Sequence, residues 1–279
     1  RPSGPRAYKA LRSTTTTAGV APRARLRALS LVLLFPQIAN AMAWRSHGRD
    51  NPTLVGALRR NGVLKSPRTE AAMLAIDRGD FVPKGSAYED RPLPIGSAAT
   101  ISAPHMHAHA LDLLDEVGAL APGKRALDVG SGTGYLTACL AHMVAAQGDQ
   151  KVGGMAVGID HIPDLVESSH RNVERCAAAK ALQDRDALRL VVGDGRQGYP
   201  TLAPFDAIHV GAASPVRPRA LIDQLAKGGR LVVPVGVDGG NQELLVFDRD
   251  AETGEVTEHS AMGVRYVPLC DASYQLANA

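Results

Sequence analysis

The sequence predicts an α/β fold: a central, mostly parallel sheet with helices on both faces, preceded by an N-terminal cap of helices and loops. From Leu127 onward, short apolar runs alternate with segments of helical spacing, which is the pattern of strands connected by crossover helices. A glycine-rich loop follows the first of these runs. The 279 residues give room for one large α/β domain or two small ones, with enough core to fold alone.

The cap, residues 43–120, contains the first predicted elements. Apolar residues at helical spacing predict amphipathic helices over 54–61, 69–78 and 105–117. Between the last two helices, residues 81–104 are rich in proline and glycine and predict a loop. We expect this cap to pack across the edge of the sheet where a ligand binds.

The sheet follows the cap. Short apolar runs predict strands over 126–129, 155–159, 188–192, 207–210, 231–235, 243–247 and 264–269. Helices are predicted over 134–144, 161–179 and 218–227, the last of them stopped by Gly228 and Gly229. The sequence Gly239-Gly240-Asn241 predicts a hairpin turn between two late strands.

The composition is that of an ordinary folded chain, with 45% hydrophobic and 21% charged residues. It excludes a disordered, collagen-like or disulfide-stapled protein. Cys139, Cys176 and Cys270 form neither a C-x-x-C pair nor an even framework, so we expect free thiols and a reducing compartment. No apolar run reaches the ~18 residues of a membrane span, and no membrane partner is expected.

Positive charge is concentrated at the start of the chain. Residues 1–42 hold seven of the 31 lysines and arginines and no acidic residue, which leaves a net charge of −4 on the rest of the chain. A mildly acidic body offers no broad cationic face, so a nucleic-acid partner is not expected. We therefore divide the chain into a leader, residues 1–42, and one domain, residues 43–279.

Three interpretations of the leader stay open. Its arginine-, serine- and threonine-rich composition is typical of an organelle transit peptide. The apolar run 29–35, followed by Ala39-Asn40-Ala41, also resembles a secretory signal, although Pro36 and the shortness of the run disfavour it. Alternatively, the leader is upstream sequence and translation begins at Met42. We expect the protein in the cytoplasm if translation starts at Met42, and in a chloroplast or mitochondrion if the leader is a transit peptide.

The glycine-rich loop predicts a nucleotide-type ligand. It reads LDVGSGTG over residues 127–134, between the first strand and the helix after it. Glycines let a ligand approach the backbone amides and the helix N-terminus. The spacing is G-x-G-x-G, not the G-x-G-x-x-G of dinucleotide sites, and Asp128 stands two residues before Gly130. These features favour a ligand whose charged amino-acid part lies over the loop, and they disfavour a dinucleotide oxidoreductase.

Two further acids follow at the ends of the next two strands. Asp160 ends the second strand, where a carboxylate can accept both hydroxyls of a ribose. Asp194 ends the third strand, where it can accept a hydrogen bond from an exocyclic amine such as that of adenine. Aspartate and glycine are also common in ordinary turns, so one such element alone is weak. In this order, on three successive strands, the loop and the two acids indicate S-adenosylmethionine (SAM).

Longer motifs resemble those of one family. They are ATISAPHMHA over residues 99–108, GIDH over 158–161, VVGDGR over 191–196, DAIHVGA over 206–212 and GGRL over 228–231, with a last match over 263–269. On these motifs the chain, from Met42 to about Gln275, resembles the protein-L-isoaspartate O-methyltransferases. The resemblance implies a Rossmann-like SAM-dependent methyltransferase fold with S-adenosyl-L-homocysteine as the cofactor product.

The same resemblance implies an activity and residue roles. The activity is methylation of the α-carboxylate of L-isoaspartyl residues in damaged peptides and proteins, which leads through a succinimide back to aspartyl. Ser102 matches the active-site serine of the family, and Cys270 stands where we expect a threonine. We expect a monomer. The residues expected at the cofactor site are Ala99, Thr100, Ile101, Ser102, His107, Asp128, Gly130, Ser131, Gly132, Asp160, His161, Asp194, Gly195 and Gln275.

The chemistry of this reaction requires little proton transfer. An isoaspartyl carboxylate is ionised near neutral pH, since the reference acid has a pKa of about 4. Catalysis is therefore expected to consist of alignment and partial desolvation of the carboxylate. Ser102 can orient the nucleophile by hydrogen bonding without accepting a proton.

Two other function classes fit the same cofactor loop. One is another carboxyl or small-molecule methyltransferase, which the segment ATISAPH disfavours. The other is a methyltransferase-like adaptor that recruits other proteins. Adaptors of this kind carry a long C-terminal partner-binding extension, which the end of this sequence at Ala279 disfavours.

Several polar residues have an ordinary interpretation as well. Histidines alternate over residues 105–109, but no acid or thiol accompanies them, and no metal site is expected. His209 is expected to be a satisfied core histidine near the ligand edge. Arg217 and Arg219 are expected on a solvated loop, with a role in binding the substrate carboxylate left open.

Overall fold

A central sheet of seven strands organises the chain in a computed structural model that describes residues 46–82, 85–145 and 153–278. These residues belong to one unit of the chain, Pro36–Ala279. The predictions about the leader, residues 1–42, lie outside the described residues, as does Trp44. Within the described ranges, no helix combines the length and the apolar character needed to cross a bilayer.

The cap comes first in chain order. Its elements are helices α1 (Asn51–Arg60) and α2 (Pro67–Ala75), strands β1 (Leu93–Gly96) and β2 (Ala99–Ile101), and helix α3 (Pro104–Glu116). Helix α1 begins where the Asp50 side chain accepts a hydrogen bond from the backbone of Thr53 and the Thr53 side chain accepts one from the backbone of Asp50, a reciprocal capping box. Helix α2 begins at Pro67, after the Ser66 side chain caps its first turn.

The sheet domain alternates strands and helices. Its elements are β3 (Arg125–Val129), α4 (Tyr135–Val144), β4 (Met155–Asp160), α5 (Pro163–Arg175), α6 (Ala177–Asp184), β5 (Leu188–Val192), β6 (Phe205–Val210), α7 (Arg219–Asp223), β7 (Leu225–Val235), β8 (Gln242–Arg249), β9 (Val256–Val264) and α8 (Ala272–Ala277). The predicted α/β class and the mostly parallel sheet are confirmed.

The strand order explains where a ligand binds. The sheet runs β5-β4-β3-β6-β7-β8-β9; β3 to β7 are parallel, and β8 and β9 form an antiparallel meander at one edge. The order reverses at β3, which lies between β4 and β6. In open α/β sheets the crevice at such a reversal, outside the carboxyl ends of the strands, is the usual ligand site.

Two apolar clusters cover the two faces of the sheet. Neighbouring residues of one strand belong to different clusters: Ala156 packs in the first and Val157 in the second, as the alternation of a strand requires. The first cluster also contains Leu140 of α4, Leu58 of α1 and Met73 of α2. The cap therefore shares a core with the sheet and does not form a separate hydrophobic unit.

The predicted helices 161–179 and 218–227 are partly wrong. The first is divided into α5 and α6 at Cys176, a buried residue with extended backbone. The second ends at Asp223, and β7 already begins at Leu225. Leu225 pairs with Phe205 and Arg230 with Ala207, so residues 226–229 bulge from the ladder. Gly228, with φ +75°, allows this bulge and does not stop a helix.

The predicted strand over 264–269 is wrong as well. The last strand is β9, Val256–Val264, and the segment after it touches strand backbone only through a bridge from Ala213 to Pro268. Most of β9 is exposed and polar, so an apolar run does not reveal it. The predicted loop 81–104 contains the β1–β2 hairpin, which is too short to show a strand pattern. The hairpin turn at 239–241 does connect antiparallel strands, β7 and β8.

Candidate active site

Two adjoining cavities lie at the carboxyl ends of the parallel strands. The strand-tip cavity, about 560 Å³, is bordered by Gly130, Asp160 and Asp194 at the ends of β3, β4 and β5. The serine cavity, about 350 Å³, is bordered by Ser102 and His107. The walls that the two cavities share are Thr100, Gly130, Gly132 and Gly211.

Every site residue predicted from the sequence borders one of these cavities. The strand-tip cavity is lined by Ala99, Thr100, Gly130, Gly132, Asp160, His161, Asp194, Gly195 and Gln275. The serine cavity is lined by Ile101, Ser102, His107, Asp128 and Ser131, in addition to the shared residues. The structure thus brings together residues that lie up to 176 positions apart, while their roles stay predictions.

The glycine loop provides an open floor for both cavities. Gly130 and Gly132 have φ of +74° and +51°, which glycine adopts without strain. A Cβ on Gly132 would lie 3.1 Å from Ile95 Cδ1. Across the cavity, a Cβ on Gly195 would lie 2.5 Å from Val129 Cγ1. Larger residues at these positions would collide with Ile95 and Val129, two side chains that line the strand-tip cavity.

Asp160 ties the end of β4 to the glycine loop. Its Oδ2 accepts a hydrogen bond from the Gly132 amide at 3.0 Å, and its Oδ1 accepts one from the Ile162 amide at 3.0 Å. Burial raises the pKa of Asp160, and these two backbone hydrogen bonds act in the opposite direction. Each oxygen keeps a second lone pair, so the carboxylate can still accept from ligand hydroxyls.

Asp128 is held in place behind the loop. Its Oδ1 lies 2.8 Å from His209 Nδ1, and its Oδ2 accepts a hydrogen bond from Thr137 Oγ1 at 2.7 Å. All three side chains are buried. His209 is therefore a satisfied histidine, as the sequence predicts, and it also borders the serine cavity.

Asp194 carries a partner that the sequence prediction missed. Arg196 Nε donates to Asp194 Oδ1 at 2.9 Å and Arg196 Nη2 donates to Oδ2 at 2.8 Å. This pairing lowers the pKa of the Asp194 carboxyl. The same Nη2 reaches Asp271 at 2.6 Å, so the tip of β5 is joined to the segment that leads into α8.

The C-terminal segment completes the strand-tip cavity. Residues 267–270 line one wall, and the Gln275 side chain of α8 reaches both His161 and Ser97. Backbone hydrogen bonds between Ala213 and the residues on either side of Pro268 hold this wall against the end of β6. Cys270, at the expected threonine position, borders the cavity, and burial raises the pKa of its thiol.

The backbone of Ser102 is held by Arg78, and the Tyr266 phenol lies near the Ser102 side chain. The Ser102 carbonyl accepts a hydrogen bond from Arg78 Nη2 at 2.9 Å. Burial raises the pKa of Tyr266, so the phenol stays neutral. The Ser131 hydroxyl, buried in the same cavity, has no hydrogen-bond partner among the described residues. An unpaired buried hydroxyl costs free energy unless a ligand or water satisfies it.

His107 is a second polar group in the serine cavity. Its Nδ1 lies 3.3 Å from Arg78 Nη1, and its ring packs 5.2 Å from the Tyr135 ring. Burial lowers the pKa of His107 well below 6.5, and the nearby charge of Arg78 adds to this effect. The imidazole is therefore neutral at physiological pH.

The remaining histidines and arginines lie elsewhere. His105 Nδ1 contacts Asp90 at 2.8 Å, and no group of three metal-ligating side chains occurs in the part of the chain that the structure describes. Arg217 pairs with Glu258 of β9, and neither Arg217 nor Arg219 borders the two cavities. A direct contact from these arginines to a ligand carboxylate is therefore not supported by their position.

Comparison with known proteins identifies the family. The family model for protein-L-isoaspartate(D-aspartate) O-methyltransferase (PCMT) matches residues 49–274. Protein-L-isoaspartate O-methyltransferase 2 of Arabidopsis thaliana is 53% identical over 224 residues, which cover 80% of this chain and 69% of that protein. The protein-L-isoaspartate O-methyltransferase of Triticum aestivum is 50% identical over 230 residues, covering 82% of this chain and 95% of that protein.

A solved structure agrees with this result. A Plasmodium falciparum protein described as a beta-aspartate methyltransferase, in complex with S-adenosyl-L-homocysteine, superposes with a TM-score of 0.71 at 33% identity, covering 80% of this chain and 99% of that chain. The family model spans most of the chain, and these two relatives share at least half of their aligned residues with it. The predicted resemblance is therefore confirmed. The chain belongs to the protein-L-isoaspartate(D-aspartate) O-methyltransferase family.

Proposed function

We propose that this methyltransferase holds S-adenosylmethionine in the strand-tip cavity and the α-carboxylate of an L-isoaspartyl residue in the serine cavity. One observation carries the proposal: the residues predicted for both ligands border two cavities with common walls at Thr100, Gly130 and Gly132. Two ligands bound in these adjacent cavities would therefore lie next to each other, beside the shared residues. The product pair is then a methyl ester and S-adenosyl-L-homocysteine.

The strand-tip cavity fits this cofactor. Gly132 and Gly195 border this cavity without side chains, and the Asp160 carboxylate there offers two acceptor oxygens for the hydroxyls of a ribose. The buried Ser131 hydroxyl borders the adjoining serine cavity, where it is free to bind a polar group of a ligand. When bound, S-adenosylmethionine supplies an electrophilic methyl group on a sulfonium sulfur.

The residues of the serine cavity bind and orient the carboxylate. Ser102 offers its hydroxyl and His107 a neutral imidazole, so both can donate hydrogen bonds to an anion. No proton has to move, because the carboxylate is ionised before it binds. The buried walls exclude water and strip part of the hydration from the nucleophile.

Repair follows from the chemistry of the ester. Methylation converts a poor leaving group into a good one. The neighbouring backbone amide nitrogen of the peptide then attacks the ester carbonyl, loses its proton and displaces methanol, which closes a succinimide. Hydrolysis of the succinimide gives aspartyl or isoaspartyl, and the latter can be methylated again. The protein therefore needs only the methylation site.

The test is methyl transfer to a matched pair of peptides that differ only in having isoaspartyl or aspartyl at one position. We expect label from S-adenosylmethionine on the isoaspartyl peptide alone. Equal labelling of both peptides would favour another carboxyl methyltransferase. Binding of S-adenosyl-L-homocysteine by calorimetry with no transfer to either peptide would favour an adaptor.

The organisation of the whole protein belongs to the same proposal. Residues 43–279 form the methyltransferase domain, which acts as a monomer in the cytoplasm if translation starts at Met42. A transit peptide over residues 1–42 would place it in a chloroplast or mitochondrion. N-terminal sequencing of the mature protein and its mass in solution test these points.

A further inference from the structure

An arginine outside the predicted site is buried behind the serine cavity. Arg78 lies in a short 3-10 turn of the cap and its residue exposure is 0%. It forms no salt bridge with a carboxylate of the described residues, although the buried Asp90 lies near enough to interact with its charge. Burial lowers its pKa to about 10, so the guanidinium still carries its charge at neutral pH.

Each part of this guanidinium has a separate partner. Nε donates to the Ala87 carbonyl at 3.1 Å, Nη2 donates to the Ser102 carbonyl at 2.9 Å, and Nη1 faces His107 Nδ1 at 3.3 Å. Its charged centre also lies 5.6 Å from the centroid of the Tyr135 ring, within cation–π range. A single side chain thus contacts both residues that we assign to the substrate carboxylate.

The contact with His107 determines where the imidazole carries its proton. A guanidinium has only donors, so His107 Nδ1 has to be the acceptor. The neutral ring then carries its hydrogen on Nε2, the nitrogen remote from Arg78. In the other tautomer, hydrogens on Nδ1 and on Nη1 would point at each other between two nitrogens only 3.3 Å apart. Nε2 would then offer a lone pair to an anion, which is repulsive.

We propose that Arg78 is a positioning residue for substrate binding: it fixes His107 as an Nε2–H donor and holds the Ser102 backbone, so that two neutral donors face the isoaspartyl carboxylate together. This inference rests on the proposed function, because it takes the carboxylate as the ligand of the serine cavity. Arg78 itself does not border either of the two cavities and touches no reacting atom.

The same geometry gives the carboxylate a favourable electric field. The charged guanidinium of Arg78 contacts both donor residues in surroundings where water does not screen its charge well, and buried Asp90 offsets only part of that charge. The arginine therefore favours an anion over a neutral group in the serine cavity, without a salt bridge to it. Its effect should fall on the peptide substrate, because the strand-tip cavity has no contact with it.

The first test needs no variant. Long-range proton–nitrogen NMR of the full protein, with histidine labelled, reports which His107 nitrogen is protonated. We expect an unprotonated Nδ1 and a protonated Nε2 at neutral pH, and assignment comes from the signal lost in His107→Gln. A proton on Nδ1, or a mixture of tautomers, would overturn the proposal.

The second test separates Arg78 from a structural role. Arg78→Lys keeps the charge but cannot maintain three directed contacts, and Arg78→Met removes the donors. We expect either variant to raise the KM for an isoaspartyl peptide by about 10- to 100-fold, the value of one or two hydrogen bonds to charged groups. The Kd for S-adenosyl-L-homocysteine should stay within about threefold of wild type, since the strand-tip cavity is intact.

Arg68→Met is the matched control. Arg68 also donates to backbone carbonyls, those of Leu120 and Met143, and its hydrogen bonds involve neither His107 nor Ser102. We expect a loss of stability without a change in the His107 tautomer or the peptide KM. Equal changes in KM for the Arg68 and Arg78 variants would assign Arg78 a purely structural role and overturn the proposal.

A double mutant completes the test. If Arg78 acts through His107, the effect of Arg78→Lys on the KM shrinks in a His107→Gln background, because coupled residues are not additive. Full additivity would overturn the proposal. If wild-type protein transfers no methyl group to isoaspartyl peptides, the proposed function fails instead, and the tautomer measurement still decides the contact between Arg78 and His107.

Discussion

Gln275 joins three separate parts of the chain at the rim of the strand-tip cavity. Its Oε1 lies 2.7 Å from His161 Nε2, and its Nε2 donates to the Ser97 carbonyl at 2.8 Å. The C-terminal helix α8 is thereby connected to the end of β4 and to the β1–β2 turn. The amide was predicted as a cofactor contact, and the structure gives it this additional bridging role.

Gln275→Ala should therefore weaken cofactor binding. Removal of both hydrogen bonds frees α8 from the cavity rim, and we expect the Kd for S-adenosyl-L-homocysteine to rise about tenfold. Calorimetry measures this value. Asn278→Ala is the control, since the Asn278 side chain caps the end of α8 by donating to the Tyr274 carbonyl. An unchanged Kd for Gln275→Ala would show that the bridge does not contribute to the cavity.

Ser102→Ala should separate catalysis from cofactor binding. The hydroxyl borders the serine cavity but not the strand-tip cavity, so its loss disturbs the carboxylate and not the nucleotide. We expect kcat to fall by about tenfold or more and the Kd for S-adenosyl-L-homocysteine to change by less than about threefold. An equal loss of kcat and of cofactor affinity, or no loss of either, would contradict the role assigned to Ser102.

Asp160→Asn should affect the cofactor and the loop together. The carboxylate holds the Gly132 and Ile162 amides with its two oxygens, and an amide side chain keeps only one acceptor. We expect a Kd for S-adenosyl-L-homocysteine at least about tenfold higher and a lower Tm. Asp184→Asn, on the exposed surface of α6, serves as the control. A normal Kd in the Asp160 variant would contradict the ribose assignment.

The burial of His107 should make the protein less stable in acid. The folded pKa of His107 lies well below 6.5, whereas the unfolded chain titrates near 6.5. Below that pH the unfolded state binds a proton that the folded state does not, so the free energy of unfolding falls by up to about 1.4 kcal/mol per pH unit for this group. Above pH 6.5, the contribution of His107 to the free energy of unfolding no longer changes with pH.

His107→Gln should reduce that acid dependence, although burial also lowers the pKa of His109 and His142 and leaves part of it in place. Urea unfolding above and below pH 6.5 measures the slope. His259→Gln, on the exposed strand β9, is the matched control and should retain the wild-type slope. The titratable groups that act on the His107 pKa are Arg78, His209 and His105, and all remain in both variants. A slope unchanged in His107→Gln would contradict the prediction.

Local pattern was enough to predict most of the sheet and the cofactor loop. Buried strands such as β3 and β4 consist of apolar residues, and the glycines and acids at their ends are adjacent in sequence. Strand β9 was missed because an exposed edge strand has no apolar run. The bulge at residues 226–229 was missed because strand pairing, not helix propensity, determines it.

The supporting contacts of the site could not be predicted in this way. Arg78 and Ser102 are 24 positions apart, Asp128 and His209 are 81 apart, and His161 and Gln275 are 114 apart. Such pairs depend on how distant elements pack, and a single sequence carries no signal for them. Tyr266 was missed for the same reason, because its position near Ser102 requires the C-terminal segment to return to the cap.

The buried charge of Arg78 also bears on how the reaction product is released. Esterification turns an anion into a neutral group, so the attraction between the product and the guanidinium is largely lost. The ester should therefore bind more weakly in the serine cavity than the ionised isoaspartyl peptide does. Ring closure and hydrolysis then take place in bulk water, and accumulated ester competes weakly with the next damaged chain.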